Sequence, residues 1–277
     1  TATAINQHQS AAELITEDAA GNISKMTCQL VVGCDGRNST LGQNAGIRQR
    51  RLPHVQTAIV AIMTAERPHE NTAFQRFLRP GPIALMPMDG KRLSLVWTVP
   101  KDSAADLAAC DPDAFNAACN AAFGDSLGLL SLDSPRLSWP LQPGFVMRPT
   151  APRLVLAGDA AHPIHPLAGQ GYNLALGDAA VLLDVLCETY ARGLSAGHVS
   201  LGTQYRARRR GEVLAMSMAT VGLNALFSQM PGGLHKIAGL GMSLLQRSPV
   251  KSVFADIARG GALTKASLFD GTLPPAS

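Results

Sequence analysis

Leu154-Val155-Leu156-Ala157 runs without a polar residue into Gly158-Asp159, and Leu30-Val31-Val32-Gly33-Cys34 runs the same way into Asp35-Gly36. An apolar run with no alternation is the pattern of a strand buried on both faces, as in a parallel sheet, although periodicity alone leaves a helix open. In doubly wound sheets ligands gather at the carboxyl ends of such strands. Two runs that each stop on a Gly/Asp pair therefore predict an α/β lobe with a ligand site at those ends.

The chain between the two runs has a different character. Thr57–Thr64, Thr72–Leu78, Ile83–Pro87 and Arg92–Val99 are short and partly β-branched or aromatic, with turns at Arg79-Pro80-Gly81-Pro82 and Met88-Asp89-Gly90. They predict an antiparallel sheet inserted into the first lobe as a second one. Asp111–Phe123 reads as a helix, with Asp111 as N-cap, Pro112 at the first helical position and Gly124 past the end. Gly21-Asn22 marks a turn between two short stretches within Glu13–Lys25 that can pair as strands. The expected division is 1–54 with 141–192 as the discontinuous first lobe, 55–140 as the antiparallel lobe, and 193–277 as a C-terminal helical region.

Beyond Asp159 the chain passes Ala160-Ala161-His162-Pro163-Ile164-His165-Pro166-Leu167-Ala168-Gly169-Gln170-Gly171. Pro163 and Pro166 forbid regular helix, so backbone N–H groups there are free to face a ligand. Gly169 and Gly171 let that backbone approach closely. Apolar positions 179, 182, 183, 186 and 190 then follow helical spacing up to Gly193, and the start of that helix brings partial positive charge to the loop. Asp159 is an acceptor for ligand hydroxyls. The combination describes a site for a polyhydroxylated cofactor with an electron-rich, partly anionic ring; a plain Gly/Pro loop is the alternative. Further on, Val213–Gln246 carries one formal charge, Lys236, and its apolar side chains fill more than one helical face, as in a helix that is buried or lies on another apolar surface.

Composition removes several classes. At 277 residues and 46% hydrophobic the chain holds one to two packed domains and is not disordered. Five Cys form neither a C-x-x-C pair nor a Cys/His cluster at zinc spacing, which fits a reducing compartment and no metal. Net charge is +4 and aromatics are 5% of the chain, too few to interleave stacking platforms with basic residues, so no nucleic-acid partner is expected. Thr1–Ile5 has neither a basic nor an apolar signal region, and no apolar run reaches the roughly 18 residues of a membrane span.

Gly158-Asp159-Ala160-Ala161-His162 followed by His165-Pro166-Leu167-Ala168-Gly169-Gln170-Gly171-Tyr172-Asn173-Leu174 resembles the second flavin-binding motif of FAD-dependent aromatic hydroxylases, whose prototype is para-hydroxybenzoate hydroxylase. Gly33-Cys34-Asp35-Gly36-Arg37-Asn38-Ser39 is similar to that family's internal Asp-Gly motif, linked to both FAD and NAD(P)H. Ala168-Gly169-Gln170-Gly171, Phe74-Gln75-Arg76-Phe77, Gly81-Pro82-Ile83-Ala84-Leu85-Met86-Pro87 and Ser94-Leu95-Val96-Trp97-Thr98 resemble the ubiquinone-biosynthesis hydroxylases within it. The resemblance spans nearly the whole chain. It departs in one respect: the family opens with a G-x-G-x-x-G turn that holds the ADP half of FAD, and none occurs here, since Gly169/Gly171 and Gly239/Gly241 lack the third glycine. With its Thr start, the chain reads as the family without its opening hundred or so residues, and weak or no FAD binding, and no activity on its own, is expected of it.

The resemblance implies an α/β fold with α+β elements: a parallel-sheet FAD-binding lobe incomplete at its N-terminus, an inserted antiparallel-sheet substrate lobe and a C-terminal helical region. It implies a flavin-dependent monooxygenase that hydroxylates an aromatic ring, foremost a polyprenyl phenol in ubiquinone biosynthesis, through a C4a-hydroperoxyflavin, with NAD(P)H as reductant and O2 as co-substrate. The implied cofactor-binding residues are Asp35, Gly36, Gly158, Asp159, Pro166, Gly169, Gln170, Gly171, Tyr172 and Asn173, and no catalytic base is indicated. Asp159 would take a ribityl hydroxyl, the backbone at Gly171, Tyr172 and Asn173 the pyrimidine edge, and Pro166 the ring near the reacting carbon. Two alternatives stay open: a hydroxylase of small soluble aromatics, and a flavin-free scaffold subunit of a biosynthetic complex docking through 213–246. The expected location is cytoplasmic, with peripheral attachment to the inner membrane or to such a complex left open. His162 and His165 read as structural, Cys34 as a small buried residue, and Arg206–Arg210 as a solvated helix face in preference to a lipid contact.

Overall fold

A computed structural model describes residues 1–79, 81–164, 170–228 and 266–272, and the backbone alone at 170, 221 and 223–228. The described residues divide into two compact units, one from Thr1–Arg51, Pro143–Ala219 and 266–272, the other from Leu52–Gln142 and 220–228.

The first unit opens with β1 (Ala2–Gln7), β2 (Ala12–Glu17) and β3 (Ile23–Cys28), an antiparallel meander whose second turn is the Gly21-Asn22 expected from sequence. β4 (Val31–Gly33) follows, then the short helix α1 (Thr40–Asn44), capped by Ser39 Oγ accepting from Gly42 N at 2.8 Å, and β5 (Gln49–Arg51).

The second unit holds β6 (Gln56–Ala65), β7 (Phe74–Phe77), β8 (Pro82–Pro87), β9 (Arg92–Pro100), α2 (Lys101–Ala109), α3 (Pro112–Phe123), β10 (Leu130–Leu132) and β11 (Leu137–Leu141). Its sheet is antiparallel in the order β10-β6-β9-β8-β7, with β11 also on β6. One sheet face, carrying Ile59, Met63, Ile83, Leu85, Leu93 and Leu95, packs with α3 through Phe115, Cys119 and Phe123. Those three are four residues apart, one stripe of the helix, and each Phe contributes about 1.5–3 kcal/mol by leaving water. α3 starts and stops as its sequence predicts: the Asp111 carboxylate accepts from the N–H groups of Asp113 and Ala114, and Gly124 closes it at φ +84°. On the opposite sheet face Leu137, Trp139 and Met86 are 56%, 59% and 37% exposed, while Ala58 and Thr98 at its centre are buried.

The chain returns to the first unit through β12 (Gly144–Val146), which pairs with β5, then β13 (Thr150–Ala151) and β14 (Leu154–Leu156). β14 lies parallel to β4 in the register Leu154↔Val31, Val155↔Val32, Leu156↔Gly33. The two apolar runs are thus adjacent strands of one parallel pair. α4 (Gln170–Ala191) and α5 (Val199–Ser228) follow, α4 and α5 up to Ala219 belonging to this unit, and Val155, Val181, Val185, Leu201 and Tyr205 form its core between strand and helices. Arg153, at φ +57°, ties the unit together by donating to the carbonyls of His8, Gln9 and Gln29.

Burial corrects one expectation. β14 is buried throughout, but β4 is not, because Val32 is 43% exposed on the face where a cavity opens. Cys34 is exposed for the same reason, one residue past the strand end, and is not the small buried residue its apolar neighbours suggest.

Candidate functional site

Because β4 and β14 are parallel and in register, Cys34-Asp35-Gly36 and Gly158-Asp159 leave the sheet at the same edge. A cavity of about 570 Å³ opens there. Val32, Cys34, Gly36, Gly158 and Asp159 line it from the strand ends, and Gly171 and Tyr172 from the first turn of α4. Ala179, Leu182, Leu183 and Leu186 supply its apolar wall. The periodic positions that predict α4 therefore face this cavity in large part, while Leu174, Val181 and Val185 form the buried face of the helix.

The predicted site residues fall into three groups. Gly36, Gly158, Asp159, Gly171 and Tyr172 are brought together around the cavity. Asp35 turns its carboxylate to α1, accepting from Leu41 N at 3.1 Å, and so ties the loop that carries Gly36 and Arg37 to that helix. Asn173 is half-buried in the first turn of α4. Gln170 starts α4, with its side chain outside the described residues, and Pro166 and Gly169 lie outside them altogether.

Asp159 stands at the rim. Arg37 Nη2 is 3.8 Å from its Oδ2, with the two side chains 42% and 46% exposed, a separation and exposure at which an ion pair is worth little. Both charges stay accessible to a ligand: a carboxylate that accepts hydroxyls beside a guanidinium that attracts an anion.

Beneath the turn lies a set of buried polar side chains that sequence reading misses. Asp178, fully buried on α4, accepts from Gly158 N at 2.8 Å through Oδ2 and from Arg209 Nε at 2.7 Å through Oδ1. His162 Nε2 is 3.3 Å from the same Oδ1. A carboxylate only accepts, so Nε2 carries the ring proton. Arg209 also donates to Leu174 O at 3.0 Å and pairs with Glu212, and Tyr205 donates to Leu156 O at 3.2 Å. Arg209 is 1% exposed, so the Arg206–Arg210 cluster is not uniformly a solvated face. Gly177 makes this possible, since a Cβ there would sit 2.7 Å from Arg209 Nη1.

The two carboxylates of this network move in opposite directions. Burial pushes Asp178 up, but His162, Arg209 and the Gly158 N–H more than offset it and hold the carboxyl below its ordinary 3.8. Burial pushes Glu212 above its ordinary 4.5 despite Arg209. A depressed carboxyl contributes stability that is present above its unfolded value and lost as pH falls through the folded one; a raised carboxyl contributes stability below its unfolded value that is lost as pH rises. Glu212→Gln is therefore expected to gain on the parent protein as pH rises from about 4.5 to 7, read by urea unfolding across that window. A constant difference between the two curves would contradict the assignment.

The chain is similar to known proteins over most of its length. Residues 1–219 match the family model described as FAD binding domain. The ubiquinone hydroxylase UbiL of Rhodospirillum rubrum is 41% identical over 233 residues, covering 84% of this chain and 54% of the relative. The human mitochondrial ubiquinone biosynthesis monooxygenase COQ6 is 33% identical over 266 residues, covering 83% and 57%. The chain spans about half the length of the curated relatives it matches. Among solved structures, p-nitrophenol 4-monooxygenase PnpA from Pseudomonas putida superposes with a TM-score of 0.77 at 14% identity, covering 94% of this chain and 66% of that one. Klebsiella pneumoniae HpxO complexed with FAD and uric acid superposes at 0.66 with 18% identity, covering 95% and 67%. At such identities the structures show a shared fold.

Proposed function

The chain belongs to the FAD binding domain family, and on that premise we propose that it forms the flavin-holding and substrate-facing part of a monooxygenase that hydroxylates an aromatic ring in ubiquinone biosynthesis. The observation that carries this reading is the cavity at the paired strand ends, where the Asp159 carboxylate, with Arg37 beside it, and the glycines at 36, 158 and 171 line one largely apolar space.

The residues present fit a flavin. Gly171 is a cradle that a side chain would fill: among the described residues a Cβ there would meet nothing nearer than Asp159 Oδ1 at 3.6 Å, while Gly171 itself lines the cavity. Asp159 would accept from ribityl hydroxyls, Arg37 would offset negative charge beside it, and the backbone from Gly171 to Asn173, at the positive end of α4, would hold the anionic edge of the ring. Bound there, FAD would accept hydride from NAD(P)H and activate O2 for transfer of one oxygen atom. The chain's own part is to hold the ring, exclude water with the wall formed by Leu182, Leu183 and Leu186, and present the phenol. The second unit, whose sheet exposes the apolar side chains of Leu137, Trp139 and Met86, is the part we assign to the substrate.

Asp159→Ala is expected to weaken FAD binding at least about tenfold, because a charge-assisted hydrogen bond contributes roughly 1.5–3 kcal/mol. Fluorescence titration of the variant against the parent measures it, and equal affinities would remove Asp159 from the site.

The polyprenyl tail and the membrane that carries it are the finer part of the proposal. Leu214 and Met218, one turn apart on α5, are 52% and 60% exposed, and Arg210 lies one turn before Leu214. The rest of Val213–Gln246 beyond 228 lies outside the described residues, and no described helix is long and apolar enough to cross a membrane. Leu214→Ser with Met218→Ser is expected to lower flotation with anionic phospholipid vesicles by about tenfold, near 1.4 kcal/mol of lost apolar contact. Unchanged flotation would detach this face from the lipid.

The activity of the monooxygenase of which this chain is the proposed part is tested on the whole protein with FAD, NAD(P)H, isotopically labelled O2 and a polyprenyl phenol. The expected product carries one labelled oxygen per NAD(P)H consumed. NAD(P)H oxidation without labelled product would overturn the reading.

A further inference from the structure

We infer that Asp178 is the positioning residue of the proposed flavin site: its buried carboxylate grips the Gly158–His162 turn at both ends and so aims Asp159 into the cavity. The inference rests on the reading of that cavity as the flavin site.

The geometry is that of a staple. Oδ2 accepts from Gly158 N at 2.8 Å, where the turn begins, and Oδ1 faces His162 Nε2 at 3.3 Å, where it ends. Between them the backbone closes on itself, with Ala161 N and His162 N both donating to Gly158 O at 2.9 and 2.8 Å. Gly158 holds φ +60°, a left-handed conformation that leaves the turn only one way to run. With both ends fixed from below, the residue between them that points outward is Asp159, 46% exposed at the cavity rim.

The staple is itself locked. Asp178 is fully buried, and Arg209, 1% exposed, donates to the carboxylate oxygen that His162 also faces. Arg209 is in turn held by Leu174 O and Glu212, and it threads across α4 over Gly177, where a side chain would collide with it. An ion pair this deep adds little net stability over an apolar pair of similar size, so stability alone does not account for it. Its effect is on geometry: a carboxylate with fixed orientation holds a backbone N–H more rigidly than a loop would hold itself. Asp178 touches no ligand; it acts through Gly158 and Asp159.

The test separates position from stability. Asp178→Asn removes the charge, and Asp178→Leu with Arg209→Met removes the ion pair and leaves Glu212, whose carboxyl burial already pushes up, as the remaining acid of the set. Amide hydrogen exchange at Gly158–His162, measured without ligand, is expected to rise at least about tenfold in the double variant while protection in β8 and β9 stays at the parent level. FAD, titrated by fluorescence, is expected to bind at least about tenfold more weakly to both variants than to the parent. Parent-like exchange at Gly158–His162 in a folded double variant overturns the inference. So does faster exchange there with parent-like FAD affinity, and so does loss of the global fold in both variants, which would make Asp178 a stability residue only. If the parent itself fails to bind FAD while the double variant loosens the turn, the flavin reading fails and the hold of Asp178 on the turn stands.

Discussion

Gly171→Val is expected to abolish flavin binding in a protein that still folds. At most positions a buried glycine replaced by valine disturbs the protein first and the ligand second. Here the order is reversed. The backbone at Gly171 is helical, outside the left-handed region, and among the described residues a Cβ would make only an ordinary contact with Asp159. In the first turn of a helix valine also carries a lower backbone-entropy cost than glycine. The two methyl groups would instead occupy the cavity beside Asp159, where the flavin backbone contact is proposed. The expected result is a melting temperature within a few degrees of the parent and a loss of FAD affinity on the order of a hundredfold, about 2.7 kcal/mol. Gly171→Ala, with one carbon in the same place, should fall between the two. Yellow protein at full stoichiometry from the valine variant would place this loop elsewhere.

Arg209→Met is expected to destabilise the protein by about 3–5 kcal/mol, where Arg208→Met and Arg210→Met stay within about 0.5 kcal/mol. The three residues are neighbours in sequence and opposites in environment. Arg208 pairs with Glu188 at 2.7 Å with both side chains more than a third exposed, a pair that water and salt screen. Arg209 is enclosed, and its removal leaves Asp178 fully buried and Glu212 nearly so, with no compensating cation from that side. Urea unfolding of the three variants separates them, and equal midpoints would show that the buried pairs are weaker than their depth implies.

That contrast also marks how far the sequence can be read. The strands ending at Asp35 and Asp159 are legible because a continuous apolar run closed by Gly and Asp has few other uses, and the structure places them in one parallel pair. α3 is legible because Asp111, Pro112 and Gly124 each sit where a helix end needs them. α2 is not, since it begins after Pro100 with no capping side chain and mixes Lys101, Asp102 and Ser103 into its first turn. β11 is obscured by Pro140, a residue confined to sheet edges, and it does pair with β6 alone. Within the candidate site the glycines and Asp159 can be read, because their chemistry faces outward. The Asp178–Arg209–Glu212 set cannot. A buried charge and a surface charge look the same in one dimension, and four arginines within Arg206–Arg210 read as solvent-facing until the fold turns one of them inward. One signal was present: Gly177 beside Asp178, in the middle of a helix, is a glycine with no turn to make.

The central claim is that the strand-end cavity takes the flavin. Backbone amide shifts followed by NMR during titration with FAD test it most directly, since that measurement registers binding weaker than micromolar, as expected of a chain without a G-x-G-x-x-G turn. The account predicts that the largest shifts fall on Gly36, Arg37, Gly158, Asp159, Gly171 and Tyr172, with β6 to β9 left in place. Shifts confined to the antiparallel sheet, or none at any concentration FAD reaches in solution, would contradict it.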